Sequence, residues 1–336
     1  MNFVLIDSNP KIIERWNYHI RTWIELLSTN RPIKNFIHNY NFPQVQCKLT
    51  TIEDYVINTT TKGCTSIVTP TNSLSYMNGG FDKFIIDSML LYKSQASGED
   101  IISKFDNIDL GFWFQNYQLQ RSNSYLVPNQ IYPLNLKEFF SSMKSKDENH
   151  SILKNYNFEY SLIYKNLNLT ELIQISTMLV PELLEEHNIS NIFNLMWNLL
   201  SYLYKVQKST DIENVIIPGI GTGHGHLDQD EVAKIMIFTI FFFNLSFKPS
   251  SRNNFTKFID YKSNEIVECL RYKTLKKSIT ILFFLNKDYR KFENPKDIEE
   301  VENHVLTDYG KNYDFSKIKD KNKSMDIDEL FKCIKF

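Results

Sequence analysis

The apolar positions of this chain alternate between two periods. Phe3 to Ile6 (FVLI) form a short unbroken apolar run, which predicts a buried strand. Ile12, Ile13, Trp16, Ile20, Trp23, Ile24 and Leu27 then recur at helical spacing and predict an amphipathic helix over residues 10–28. Asp7-Ser8-Asn9-Pro10 supplies its start, with Ser8 or Asn9 as the cap and Pro10 in the first turn. Residues 44–49 (QVQCKL) read as a second strand, Glu53 to Ile57 as a helical turn and Cys64 to Val68 as a third strand. Phe81, Phe84, Ile85, Ser88 and Met89 mark a helix just past the pair Gly79-Gly80.

Further on, a strand is expected near Ser124 to Val127, a short helix over Asn135 to Lys144, and a central strand over 173–181 that stops at Pro181. Asn191 to Val206 places Ile192, Leu195, Met196, Leu199, Leu203 and Val206 on one helical face. Val215 to Ile217 is a buried strand halted by Pro218-Gly219, and a helix begins at Asp228, with Asp230 and Glu231 in its first turn. Residues 249–277 are a polar connector, Ser278 to Leu285 a last strand and 286–336 a charged extension.

The pattern contains two strand–loop–helix units of one type. The first has Asn72, Asn78, Gly79 and Gly80 in its loop; the second has Gly219, Gly221, Thr222, Gly223, His224 and Gly225. Loops without Cβ atoms let backbone N–H groups approach phosphate oxygens, and a helix N-terminus behind them adds its dipole. A bare tight turn uses glycine for its own reasons, so such a loop alone serves either reading. Two of them in an α/β sheet can face one ligand across the carboxyl ends of the strands. The expected architecture is therefore α/β: a mixed sheet between helices, with both glycine loops on one rim. Asp7, closing the first strand, is expected on that rim as well.

Composition narrows the partners. Hydrophobic residues make up 42% and charged residues 23%, as in a folded globular chain. A net charge of −1 gives no general drive toward nucleic acid or anionic membrane. The longest apolar run, Ile235 to Leu245, is about half a membrane span. Cys47, Cys64, Cys269 and Cys333 show no metal-type spacing, and no cofactor or metal is implied. The N-terminus lacks the basic-then-apolar order of a signal peptide, which points to cytosol or nucleus. Oligomeric state is not readable.

IVTPTNSLSYMNGGFD at Ile67 to Asp82 and IIPGIGTGHG at Ile216 to Gly225, in this order and with the Trp197 helix between them, resemble the macro domain, in its macro-like branch. The resemblance covers roughly residues 3–90 and 120–245. It implies a three-layer α/β/α domain over 1–285, with an insertion at about 94–160 and the 286–336 extension beyond it. It also implies a cleft for ADP-ribose. Gly221 to Gly225 would hold the pyrophosphate, Asn72 the distal ribose hydroxyls, and Gly79 and Gly80 would allow close approach to that ribose. The full ligand-binding set is Asp7, Asn72, Gly79, Gly80, Gly219, Gly221, Thr222, Gly223, His224 and Gly225.

This sequence departs from the family pattern at several points. Thr69-Pro70 stands where a first loop asparagine is usual, and Asn78 where a third glycine would be. Lys48 replaces the aspartate that grips adenine, and His224-Gly225-His226-Leu227 replaces an aromatic–proline continuation.

The activity implied is hydrolysis of ADP-ribose 1''-phosphate, or of an ADP-ribosyl linkage, to ADP-ribose. Asn72, Asp82 and His224 are the candidate catalytic groups. Asp82 also fits a first-turn helix carboxylate, and His224 a solvated loop histidine. A binding module without turnover is the alternative. A Rossmann-type methyltransferase would need a glycine-rich turn after the first strand, and DSNP has no glycine.

Overall fold

The computed structural model describes residues 1–29, 44–96, 99–106, 108–146, 156–184, 189–207 and 210–246. Expectations for 249–277, 278–285 and 286–336 lie outside these residues. Strand β1 (Asn2–Asp7) leads into helix α1 (Pro10–Thr29), β2 (Gln44–Leu49), α2 (Ile52–Asn58) and β3 (Cys64–Asn72). Helix α3 (Gly80–Leu90) passes directly into β4 (Leu91–Ala96), which pairs antiparallel with β5 (Glu99–Lys104) in a separate hairpin. Then follow α4 (Leu110–Arg121), β6 (Ile131–Asn135), α5 (Leu136–Lys146), α6 (Leu162–Leu167), β7 (Leu169–Met178), α7 (Ile189–Val206), β8 (Ile212–Pro218) and α8 (Gln229–Ser246).

Among the described residues, six strands form one mixed sheet in the order β2-β1-β8-β3-β7-β6. All neighbours run parallel except β6, which is antiparallel to β7. Both faces are covered, and the alternation along each strand shows how. Phe3, Leu5, Val68, Val215 and Ile217 join the core made with α1, α7 and α8. Val4, Ile6, Ile67 and Ile216 point the other way, into the core made with α2 to α6. Two covered faces explain why these strands read as continuous apolar runs. The result is an α/β fold whose six-stranded mixed sheet lies between two helical layers.

Three expectations shift. The stretch 124–127 is a turn and loop; the strand lies later, at β6, and GFWF belongs to α4. The central strand starts four residues before Ile173 and ends at Met178, so the segment up to Pro181 leaves the sheet. Strand β3 continues through Pro70 to Asn72. Asn9 is the cap of α1, since its Oδ1 accepts from the Lys11 amide at 3.0 Å. The first part of the apolar run in α8, Ile235 to Phe241, is buried between α1, α7 and the sheet, and among the described residues no helix is long and apolar enough to cross a membrane.

Candidate functional site

The sheet opens at its carboxyl rim. The β3–β8 ladder runs from Cys64↔Ile212 only to Ile67↔Ile216. Beyond that level β3 stays with β7 as far as Asn72↔Met178, and β8 stays with β1 as far as Ile6↔Pro218. Pro70 and Pro218 explain the parting. In a parallel pair one residue makes both bonds, and a proline has no N–H to give. Ile175 and Ile6 must therefore make the bonds in their pairs, which turns the backbone of each proline toward the gap. Neither lip offers a donor at that position to zip the gap closed. The loops after β3 and β8 leave the sheet on either side of it, so the two glycine loops share one rim.

The second loop, Gly219 to Leu227, is closed by its own backbone. His226 donates to the Gly223 carbonyl at 3.1 Å and Leu227 to the Gly221 carbonyl at 3.0 Å. Leu184, from the segment after β7, donates to the Gly225 carbonyl at 2.9 Å, and its side chain lies against Gly221 and Gly225. Gly221 has φ +75°, where an L side chain is strained, and a Cβ there would stand 2.8 Å from Leu227 Cδ1. Gly219 is confined differently: a Cβ would meet Thr222 Oγ1 at 2.5 Å and Asp7 Oδ2 at 2.8 Å.

Gly223 is exposed, has no positive φ, and a Cβ there would meet nothing within 4 Å. Neither backbone conformation nor packing requires a glycine at that position.

The amides of this loop carry its chemistry. Among the described residues, the backbone N–H groups of Gly221, Thr222, Gly223, His224 and Gly225 donate to no protein acceptor, although Gly221 and Gly225 are buried. Unpaired buried amides are costly, and a run of free amides in a glycine loop can receive an anion. The helix behind the loop does not share in it. Asp228 Oδ1 accepts from the amides of Asp230 (2.9 Å) and Glu231 (3.0 Å), so the start of α8 is already capped by a carboxylate. The expected contribution of this helix terminus is thus replaced by an internal cap.

In the first loop a side chain commits the opening half of the backbone. Asn72 is 5% exposed, and its Oδ1 accepts from the Leu74 amide at 2.9 Å and the Tyr76 amide at 3.4 Å. The oxygen expected to accept from a ribose diol is therefore committed to the loop, and only Nδ2 remains to donate outward. Ser75 sits at φ 52°, held from below by Gln174: Ser75 Oγ donates to Gln174 Oε1 at 2.9 Å, and Gln174 Nε2 contacts Met77 Sδ at 2.9 Å. Helix α3 begins at Gly80, with φ +55°, and Gly79 at its cap position provides no side-chain hydrogen bond. Both glycines are exposed, while Asn78 is turned against Gly111 of α4.

Asp82, in the first turn of α3, is 4% exposed and accepts a hydrogen bond from the Thr69 hydroxyl. Burial pushes its carboxyl well above the ordinary carboxylate range, and the Thr71 hydroxyl on the same strand face offsets only part of that. Thr71 Oγ1 itself makes no full-geometry hydrogen bond among the described residues. This placement matches the first-turn carboxylate and gives Asp82 little access to a substrate water.

His224 is exposed on the second loop, and its carbonyl faces His226 Nδ1 at 2.8 Å. Thr222 folds its hydroxyl back toward Gly219. Asp7 ends β1 at the same rim, with Oδ1 accepting from the Asn9 amide at 2.8 Å. Burial raises its carboxyl, and the amides of Asn9, Gly219 and Ser8 pull it down. Lys48 is exposed on the edge strand β2, paired with Ile6.

Leu184 and Gln174 complete the site without having been singled out from the sequence. Gln174 had a signal, being polar and fully buried in the run IQIST, whereas Leu184 had none. Among the described residues, no cluster of His, Cys, Asp or Glu could hold a metal. No protein-family model matches the chain, and no curated protein sequence matches it.

Proposed function

We propose that this chain is a macro-like domain that binds ADP-ribose at the carboxyl rim of its sheet, with the pyrophosphate on the amides of Gly221 to Gly225. The observation that carries this reading is the run of partnerless N–H groups beside the gap between β3 and β8. Such amides suit an acceptor-rich anion. Asn72 Nδ2 offers a further donor on the opposite lip, suited to a ribose hydroxyl oxygen. The uncapped start of α3, at Gly79 and Gly80, leaves room beside it for whatever is attached to that ribose.

Binding is the better-supported half of this reading. Hydrolysis of ADP-ribose 1''-phosphate is the second, favoured by one observation: His224 places an exposed imidazole on the phosphate loop itself. Asp82, buried and bonded to Thr69, does not supply the base. Calorimetry with ADP-ribose followed by phosphate release from ADP-ribose 1''-phosphate separates the two. Heat of binding without phosphate release makes the protein a reader; release that is lost in His224→Ala makes it a phosphatase. Absence of binding ends both.

A further inference from the structure

We propose that Asp7 is a positioning residue that latches the root of the phosphate loop to the end of β1, and does not itself contact the bound nucleotide. The inference rests on the ADP-ribose reading above for its ligand, but its geometry stands in the free protein. Asp7 Oδ1 is held at 2.8 Å by the Asn9 amide, at the start of α1. On the other side of the carboxylate, Oδ2 is so close to the Gly219 Cα that an added Cβ would stand 2.8 Å from it. The Asp7 main chain is fixed as well, since its carbonyl accepts from the Thr50 amide at 3.0 Å just past β2. Gly219 is the first residue of the loop after β8, and Thr222 Oγ1 and Ile12 Cδ1 lie beside Asp7 Oδ2 around the place its Cβ would take.

The half-buried carboxylate is thus set between two elements of the protein, with Oδ1 held by the Asn9 amide and Oδ2 against the Gly219 backbone. A group that gripped adenine would need at least one oxygen aimed into the gap. Fixing Gly219 fixes the direction in which Gly221 to Gly225 present their N–H groups, and a preorganised cradle binds better than one that must be ordered on binding.

The test is Asp7→Asn in the full chain, an isosteric change that places an NH2 group where one of the oxygens faces a protein amide. The first readout needs no ligand: amide exchange at Leu184, His226 and Leu227, whose acceptors are the carbonyls of Gly225, Gly223 and Gly221. The latch predicts about tenfold faster exchange at these amides, with the amides of β3 and β7 unchanged. The second readout is calorimetry with ADP-ribose and, separately, with inorganic pyrophosphate. The latch predicts that both affinities fall by a similar factor, about tenfold.

Unchanged exchange overturns the proposal. So does a loss confined to ADP-ribose, because that assigns Asp7 to the nucleoside. If the wild-type protein binds neither probe, the ADP-ribose reading fails, while the exchange result still decides the latch. Should Asp7→Asn fail to fold by circular dichroism, Asp7→Ser carries the same two measurements.

Discussion

The two glycine loops look alike in sequence, yet their side chains commit different backbone donors. The loop after β3 commits its first half: Asn72 Oδ1 takes the Leu74 and Tyr76 amides and Gln174 holds Ser75 from beneath, whereas from Met77 to Asp82 no backbone amide has an acceptor among the described residues. Its helix, α3, is the part left uncapped. The loop after β8 leaves the amides of Gly221 to Gly225 without acceptors, while Asp228 caps its helix. The motif strand–glycines–helix therefore does not say where an anion binds. What decides is which N–H groups the local side chains have already taken.

The largest expected effect comes from Gly223→Val. A branched Cβ would rise into open space over the loop, so melting temperature should stay within about 1 °C of wild type. ADP-ribose affinity should fall at least a hundredfold, because two or three charge-assisted hydrogen bonds of roughly 1.5–3 kcal/mol each are blocked. Equal affinity in the variant would break the contrast between the loops.

Gly221→Ala probes the same loop from the side of stability. Positive φ and the Leu227 contact predict a loss of about 1–3 kcal/mol in urea unfolding. No loss would mean that the loop is not held as described.

Asn72→Asp sharpens the description of the first loop. It keeps the oxygen that accepts from Leu74 and Tyr76 and removes the outward Nδ2 donor. Stability should hold, and ADP-ribose affinity should drop about tenfold, the worth of one such bond. A stability loss with unchanged affinity would make Asn72 a turn residue only.

The last expected effect is a slope with pH, at Asp82. Its folded carboxyl titrates well above 3.8 because it is buried, so the folded state holds a proton that the unfolded chain has lost. Stability then declines as pH rises from about 3.8 toward the folded value, and is level above it. The difference in melting temperature between wild type and Asp82→Asn should follow that slope, with the variant gaining on wild type as pH rises. A difference that runs the other way would mean that the carboxylate is stabilised as an anion.

Most of the sheet was legible because both of its faces are buried: FVLI and VIIP announce strands through unbroken apolar runs, and CTSIV through its small and β-branched residues. The helix α4 was not, because its aromatic residues at 112–114 mimic a strand, and only Leu110, Gly111, Phe114 and Gln118 mark its buried face. Prolines misled in both directions. Pro181 suggested a strand end three residues late, and Pro70 suggested one too early, since its missing donor faces a gap and costs the ladder nothing. At the site, the glycines were visible, but the commitments of Asn72, Asp7 and Asp228 were not. Whether a polar side chain serves its own loop or a ligand depends on distances of a few tenths of an ångström, which no residue pattern encodes.

The central claim is that the loop amides, and not a helix terminus or a side-chain carboxylate, receive the pyrophosphate. Backbone ¹H–¹⁵N spectra of the wild-type protein titrated with ADP-ribose test it directly. The account predicts that the largest downfield amide shifts fall on Gly221, Thr222, Gly223, His224 and Gly225, with the capped start of α8 at Asp230 and Glu231 nearly still. Saturable shifts that bypass this loop, or spectra unchanged at millimolar ligand, would contradict it.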